Sequence, residues 1–285
     1  MRRLLSAAGN DVDSGPIEAH LHALATEREL PTTSLAICTA RIEESAPALR
    51  ALLSKAAIGL PLTEEEDRLF FRGLFILGAG RDSASCRPLL RLLCRPTDEV
   101  EALLGDFITA TLPRMLVGVY DGDFDALRAL IQDRRVDEFV RGSVLGAATF
   151  LTWEGRIDRD AMRRFLVRFD DERFADDWDR AWVSWLDAIA MLGLRDLAPR
   201  VHAAWDADRI APNMLARSDF EDMLAEAERA PDDPARLEQH HLAYIEDVVE
   251  AMDWVSDSGP TREKIAGGWP VCNSPGQQIH FGRNI

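Results

Sequence analysis

Lysine is almost missing from this chain. Of its 33 basic residues only Lys55 and Lys264 are lysine, and the rest are arginine. Such a bias fits either a guanidinium-rich binding surface or the codon preference of a GC-rich genome, and composition alone favours the second. Tyrosine is nearly absent too, at Tyr120 and Tyr244 only. With β-branched residues scattered and Ala, Leu and Arg abundant, the chain leans to helix. Cysteine is scarce: Cys38, Cys86, Cys94 and Cys272 form no C-x-x-C pair and are too few to staple 285 residues. Reduced thiols in a cytoplasm fit best, with Cys86 and Cys94 as core thiols. Net positive charge is absent. The formal balance of −16 repels nucleic acids and anionic membranes, so neither is an expected partner.

Long apolar runs are lacking as well. None reaches the ~18–20 residues that span a bilayer. The longest candidate, Gly142 to Trp153, reads as a helix buried in protein. Met1-Arg2-Arg3-Leu4-Leu5 has no sustained apolar stretch after it and so no export signature. No G-x-S-x-G, P-loop or dinucleotide fingerprint occurs. The acidic stretch around Asp170-Asp171-Glu172 and Asp176-Asp177 lacks the spaced oxygens and glycine of a calcium loop. No cofactor and no metal are expected.

What is present is a repeat. Between Leu69 and Gly155 an apolar helix, a glycine turn and an Arg-rich helix recur, with turn glycines at Gly80, Gly122, Gly155 and Gly193. The gaps of 42, 33 and 38 residues suit stacked helix pairs. Thr63 with Glu66 forms a capping box before the almost wholly apolar Leu69–Leu77. A helix from Phe107 to Tyr120 kinks or restarts at Pro113. Asp123 and Asp158 or Asp160 are N-caps. Gly142 and Gly146 in one helix imply close backbone approach to a neighbour, because each glycine costs a helix about 1 kcal/mol relative to alanine. Trp182, Trp185 and Ile189, then Leu197, Val201 and Trp205, make a fourth pair. Ser45 and Ser218 are expected to cap further helices. Asp233-Pro234 should start a last one, whose face carries Leu237, His241, Tyr244, Ile245, Val248 and Met252. The predicted fold is all-α: a first helical layer (1–62), HEAT-like antiparallel helix pairs with a closing helix (63–257), and an irregular tail (258–285).

Three runs, Phe71-Arg72-Gly73-Leu74-Phe75-Ile76-Leu77-Gly78, Asp137-Glu138-Phe139-Val140-Arg141-Gly142 and Ala148-Thr149-Phe150-Leu151-Thr152-Trp153-Glu154-Gly155-Arg156-Ile157, resemble a bacterial domain-of-unknown-function family of the DUF1186 type with HEAT-like repeats. The likeness covers about half the chain, from Phe70 to Ile210, and brings no activity with it. Many members are similar in ending with a SEC-C zinc motif introduced by Gly-Arg-Asn. Gly282-Arg283-Asn284 is here, but the cysteine ligands are not, so the resemblance implies no zinc for this chain. Either the module was lost or the sequence stops before it.

Two function classes follow. The leading one is a non-catalytic scaffold that presents a concave helical surface to a protein or peptide, an acidic one if the arginines of the second helices line a groove. Arg72, Arg87, Arg91, Arg141, Arg163 and Arg164 are the candidate contacts. The plainer reading pairs Arg72, Arg114 and Arg141 with acids such as Asp106, Glu138 or Glu154, since an unpaired buried guanidinium is too costly, and leaves the other arginines on a solvated face. The runner-up is an enzyme or small-ligand binder with a site between repeats, for which Arg72, Arg141, Asp121 and Glu154 are candidates. A deep pocket with shifted ionisation would favour it, and an open groove the scaffold. Self-association through the tail is a third possibility. His241 is expected in the core.

Overall fold

A computed structural model of the chain describes residues 15–211 and 213–252. The lead-in 1–14, Cys272 and the tail 258–285 lie outside those residues. Every regular element described is helical, and no strand occurs among the described residues. In order these are α1 (Ile17–Thr26), α2 (Thr32–Ala40), α3 (Ile42–Ala57), α4 (Glu64–Ala79), α5 (Cys86–Leu93), α6 (Thr97–Leu104), α7 (Phe107–Ala110), α8 (Leu112–Val119), α9 (Phe124–Gln132), α10 (Glu138–Trp153), α11 (Arg159–Asp171), α12 (Ala181–Met191), α13 (Ala198–Asp206), α14 (Arg217–Arg229) and α15 (Ala235–Glu238).

The apolar helices pack side by side in sequence: α4 lies against α1 and α8, α10 against α8 and α12, and α12 against α14. Their partners α3, α9, α11 and α13 cover them, with α5 packed on α3. Helices such as α4 and α10 are buried on several sides for this reason, with Leu74, Phe75, Val144 and Leu151 fully inaccessible. Trp182, Trp185 and Phe169 fill the next layer in edge-to-face and stacked contacts.

Local chemistry sets the boundaries. Thr63 and Glu66 form the reciprocal capping box. Asp123 and Asp158 each accept a hydrogen bond from a first-turn amide. The chain breaks at Thr111 between α7 and α8, with Pro113 in the first turn of α8, where its missing N–H costs nothing. At the turns after α4, α10 and α12 an amide reaches back five residues: Asp82 to Leu77, Arg156 to Leu151 and Leu194 to Ile189. The left-handed residue there is Gly155 (φ 84°) or Gly193 (φ 62°), but in the first it is Arg81 (φ 56°), not Gly80. Gly80 is required for space, because a Cβ there would run into Ile42.

Three sequence expectations need correction. Ser45 is not a cap: it lies inside α3, and its hydroxyl donates to the Cys38 carbonyl at 2.7 Å. Ser218 does not cap α14, which starts one residue earlier after Ala216 without a side-chain cap. The closing helix is a single turn, α15. Its end is forced by His241 in the left-handed conformation (φ 57°), with the Leu242 amide bonded back to Leu237. His241 is therefore exposed and Leu242 takes the buried place. Cys94 is likewise exposed, whereas Cys38 and Cys86 are buried.

Candidate functional site

The arginines decide where a site can be. Arg72 is buried on α4 and donates to the carbonyls of Leu24, Glu27, Arg28 and Glu29, the unpaired C-terminal end of α1. These are the acceptors a helix end leaves open, and they carry its negative dipole charge. The device recurs. Arg95 reaches Ala56 at the end of α3, Arg156 reaches Val117 and Tyr120 at the end of α8, and Arg236 reaches Met191, Ala230 and Pro231 at the ends of α12 and α14. Arg141, in the first turn of α10, takes the Phe174 carbonyl and Asp179. Arg114 takes the Tyr244 carbonyl. The expected acids are engaged elsewhere: Glu138 accepts the Arg180 amide and Glu154 the Tyr244 hydroxyl. Helix-end carbonyls won because a guanidinium presents five donors and each C-terminus leaves several acceptors.

The candidate contacts are thus scattered. Arg72 and Arg141 point inward. Arg87 pairs with Asp121 and Asp123, and Arg163 with Asp196, tying one helix pair to the next. Arg91 and Arg164 are exposed. Arg72, Arg141, Asp121 and Glu154 do not meet in any one place. Residues 239–249 run without helix across the face of α8 and α10. Tyr244 holds them there: its ring lies under the Arg81 guanidinium at 3.9 Å and edge-on to Phe150.

Beside that segment α10 and α12 separate into a cleft of about 200 Å³. Phe139, Gly142, Ser143, Gly146 and Thr149 form the α10 wall, at the three- and four-residue spacing of one helix face. Arg180, Ser184, Asp187, Ala188 and Met191 form the α12 wall in the same way. Thr109 and Pro113 close one end, His240 and Leu242 the other. Gly142 makes the narrowest point, where a Cβ would come within 2.7 Å of Ser184 Oγ.

Asp187 is the unusual group. It is the only charged residue within α12, and its carboxylate has no hydrogen bond or ion pair with any described residue. The residue is half-buried, and its exposure is through the cleft. Burial pushes its carboxyl up to about 7, against the pull of the Arg180 charge. The Arg180 guanidinium stands exposed at the mouth over the Phe139 ring, 5.8 Å from its centre, and makes no ion pair with any described residue. His240 stands on the opposite wall; desolvation and the neighbouring His241 lower its pKa, while Glu226 opposes them. Several of the hydroxyls are already spent on backbone: Ser143 on Ile108, Thr149 on Leu145 and Thr109 on Asp106. Ser184 is not. An acid that titrates near neutrality, beside a free hydroxyl and a free cation, can bind a polar ligand or exchange a proton with one.

A second cleft of about 320 Å³ lies between α3 and the turn after α4. Arg50 pairs there with Asp82, which also accepts the Ser85 hydroxyl, Arg81 pairs with Glu246, and the remaining acid, Glu43, is solvent-exposed, so no half-buried acid of the Asp187 kind stands unpaired there. No cluster of three or more His, Cys, Asp or Glu suited to a metal occurs among the described residues. No described helix is long and apolar enough to cross a membrane.

Sequence reasoning passed over Asp187, Arg180 and Ser184. The signal was an isolated acid in Ala181-Trp182-Val183-Ser184-Trp185-Leu186-Asp187-Ala188, a helix otherwise built for the core.

The comparisons with known proteins give a family and leave the chemistry open. The chain is 22% identical over 197 residues to an uncharacterised protein of Chlamydia muridarum (strain MoPn / Nigg), covering 69% of this chain and 74% of that one. It is 21% identical over 197 residues to an uncharacterised protein of Chlamydia trachomatis serovar D, covering 69% and 73%. No solved structure matches it. Residues 17–258 match the family model described as "Protein of unknown function (DUF1186)", and the chain belongs to that family.

Proposed function

We propose that this protein binds a small polar metabolite, as a receptor or as an enzyme, in the cleft between α10 and α12. The observation that carries the reading is Asp187, a carboxylate set into an apolar helix with nothing in the protein to neutralise it. A core position would be better served by an apolar residue, since an unpaired buried charge destabilises the fold. Retained polarity at the floor of a concave site, with shifted ionisation, is the usual signature of a place reserved for a ligand. Proton-observed NMR on the full chain with a panel of polar metabolites tests it. Ligands that move the Ser184 and Asp187 resonances, and leave the Ser184 resonances of Asp187→Asn unmoved, support the reading. A panel that moves neither residue overturns it.

A second reading keeps the cytoplasmic scaffold, with the row of helix pairs as a HEAT-like solenoid that takes a protein or peptide or a second copy of the chain. The segment 239–249 supports it, because an extended stretch already lies across the face of α8 and α10 through Leu242, Tyr244 and Ile245. Under this reading a peptide copying residues 239–252 would compete with that segment, and crosslinking would find a stable partner.

A further inference from the structure

The charges on the cleft walls narrow the ligand, given the reading of the cleft as a binding site. Arg180 and Asp187 stand seven residues apart along α12, about 10.5 Å in helical rise. Seven residues is close to two full turns, so both face the cleft. They are opposite in sign and neither pairs with the other or with any described residue. A protein that needed only to neutralise them would close them into an ion pair. Held apart, they present a positive mouth and a negative floor. Ser184 lies between them on the same face, and its hydroxyl has no described partner. Phe139, Pro113 and Leu242 give the same cleft apolar surface.

Each simpler ligand fails on one of these features. A plain amine satisfies Asp187 but leaves Arg180 facing a like charge. A plain carboxylate satisfies Arg180 and meets the repulsion of Asp187. A cation such as a metal ion would need more acidic or imidazole ligands than the cleft brings together. The volume of about 200 Å³ falls below the roughly 300–1,000 Å³ typical of drug-sized ligands, so the occupant is small. We propose that the cleft binds a free α-amino acid, or a zwitterion of that kind, with its ammonium on Asp187 and Ser184 Oγ, its carboxylate towards Arg180 and its side chain on Phe139 and Leu242. Two charge-assisted contacts of about 2.8 Å would hold the two ends of such a short dipolar molecule. Binding the ammonium also ionises Asp187, because an opposite charge at hydrogen-bond distance favours the carboxylate.

Isothermal titration calorimetry on the full chain provides the test. The twenty common amino acids are titrated first. The best binder is then compared with its decarboxylated amine and its deaminated acid. The expected result is that the zwitterion binds at least tenfold more tightly than either analogue. Arg180→Met should weaken the zwitterion at least tenfold and leave the amine unchanged. Asp187→Asn should weaken the zwitterion equally and leave the deaminated acid unchanged or tighter. Arg180 is exposed and Asp187→Asn removes a buried charge, so both variants should fold, which circular dichroism verifies. An amine or acid that binds as well as the zwitterion overturns the assignment, as does heat from none of the twenty. In the second case the metabolite panel separates the two failures. Shifts at Ser184 and Asp187 with singly charged or neutral compounds would retain the cleft as a site and remove only the zwitterion, whereas no shifts would remove both.

Discussion

The seam between α4 and α8 and the seam between α10 and α12 are built with the same small residues and end up opposite in character. At the first, both helices place glycine at the crossing. A Cβ on Gly118 would overlap the carbonyl oxygen of Gly78, so backbone lies on backbone and no space remains. At the second, Gly142 faces Ser184, a side chain that holds the helices apart by its own width. One glycine fewer turns a closed contact into a cleft. The treatment of charge differs in step. On α4, buried Arg72 has four carbonyl partners, whereas on α12, Asp187 has none. The first seam is organised for stability, and the second leaves polar groups open that a ligand can use.

Breaking the contact of α4 with the end of α1 should cost the most, ahead of any change in the closed seam. Arg72→Ala would strand the four carbonyls at the end of α1 and is expected to destabilise by about 3 kcal/mol or more in urea denaturation. Arg72→Lys should recover only part, because one ammonium cannot reach all four acceptors. Gly118→Ala comes next. The overlap with Gly78 is with backbone, which cannot rotate away, and overpacking of this kind costs about 1–3 kcal/mol. That outweighs most of the roughly 1 kcal/mol gained in helix propensity.

The open seam should respond in the other direction. The folded-state carboxyl of Asp187 sits at about 7, above its ordinary value of 3.8, so the folded protein binds its proton more tightly than the unfolded chain does. Its contribution is fully present below the unfolded value and is lost as pH rises through the folded one. Asp187→Asn should therefore leave the melting temperature unchanged near pH 3.5 and raise stability at pH 8, by less than the roughly 4 kcal/mol that such a shift would carry in a fully buried site, because the residue is partly exposed. A loss of stability at pH 8 would mean that the carboxylate has a partner. The smallest effect is expected for Gly142→Ala. Ser184 Oγ can rotate from the new methyl group, and the helix propensity gain offsets what remains, so the change should stay within about 1 kcal/mol. Ligand binding in the narrowed cleft should weaken all the same, and a calorimetric titration would separate the two effects.

Much of the scaffold was legible because its signals are local. Thr63 with Glu66, Asp123 and Asp158 cap through contacts two or three residues away, and the apolar faces of α4, α10 and α12 follow from spacing alone. Signals that depend on tertiary context misled. Ser45 looks like a cap, but the carbonyl of Cys38, on a different helix, claims it. Nothing near His241 in the sequence announces that the chain turns left-handed there and stops the last helix. The repeat of Phe70-Phe71-Arg72-Gly73 in Phe139-Val140-Arg141-Gly142 marked two buried arginines, in the middle of α4 and in the first turn of α10. Their partners turned out to be mainly carbonyls of distant helix ends, which no spacing rule reveals. The cleft escaped notice for a related reason. Arg180, Ser184 and Asp187 form one face only when α12 is wound, and a site only when α10 lies opposite.

The most direct measurement is a carbon-13 carboxyl NMR titration of Asp187 in the intact, ligand-free protein. A midpoint close to pH 7 is expected if this acid stands unpaired in the α10–α12 cleft. A midpoint in the ordinary carboxylate range near 4 would show that water or a partner already satisfies it, and the cleft would lose its claim to be a binding site.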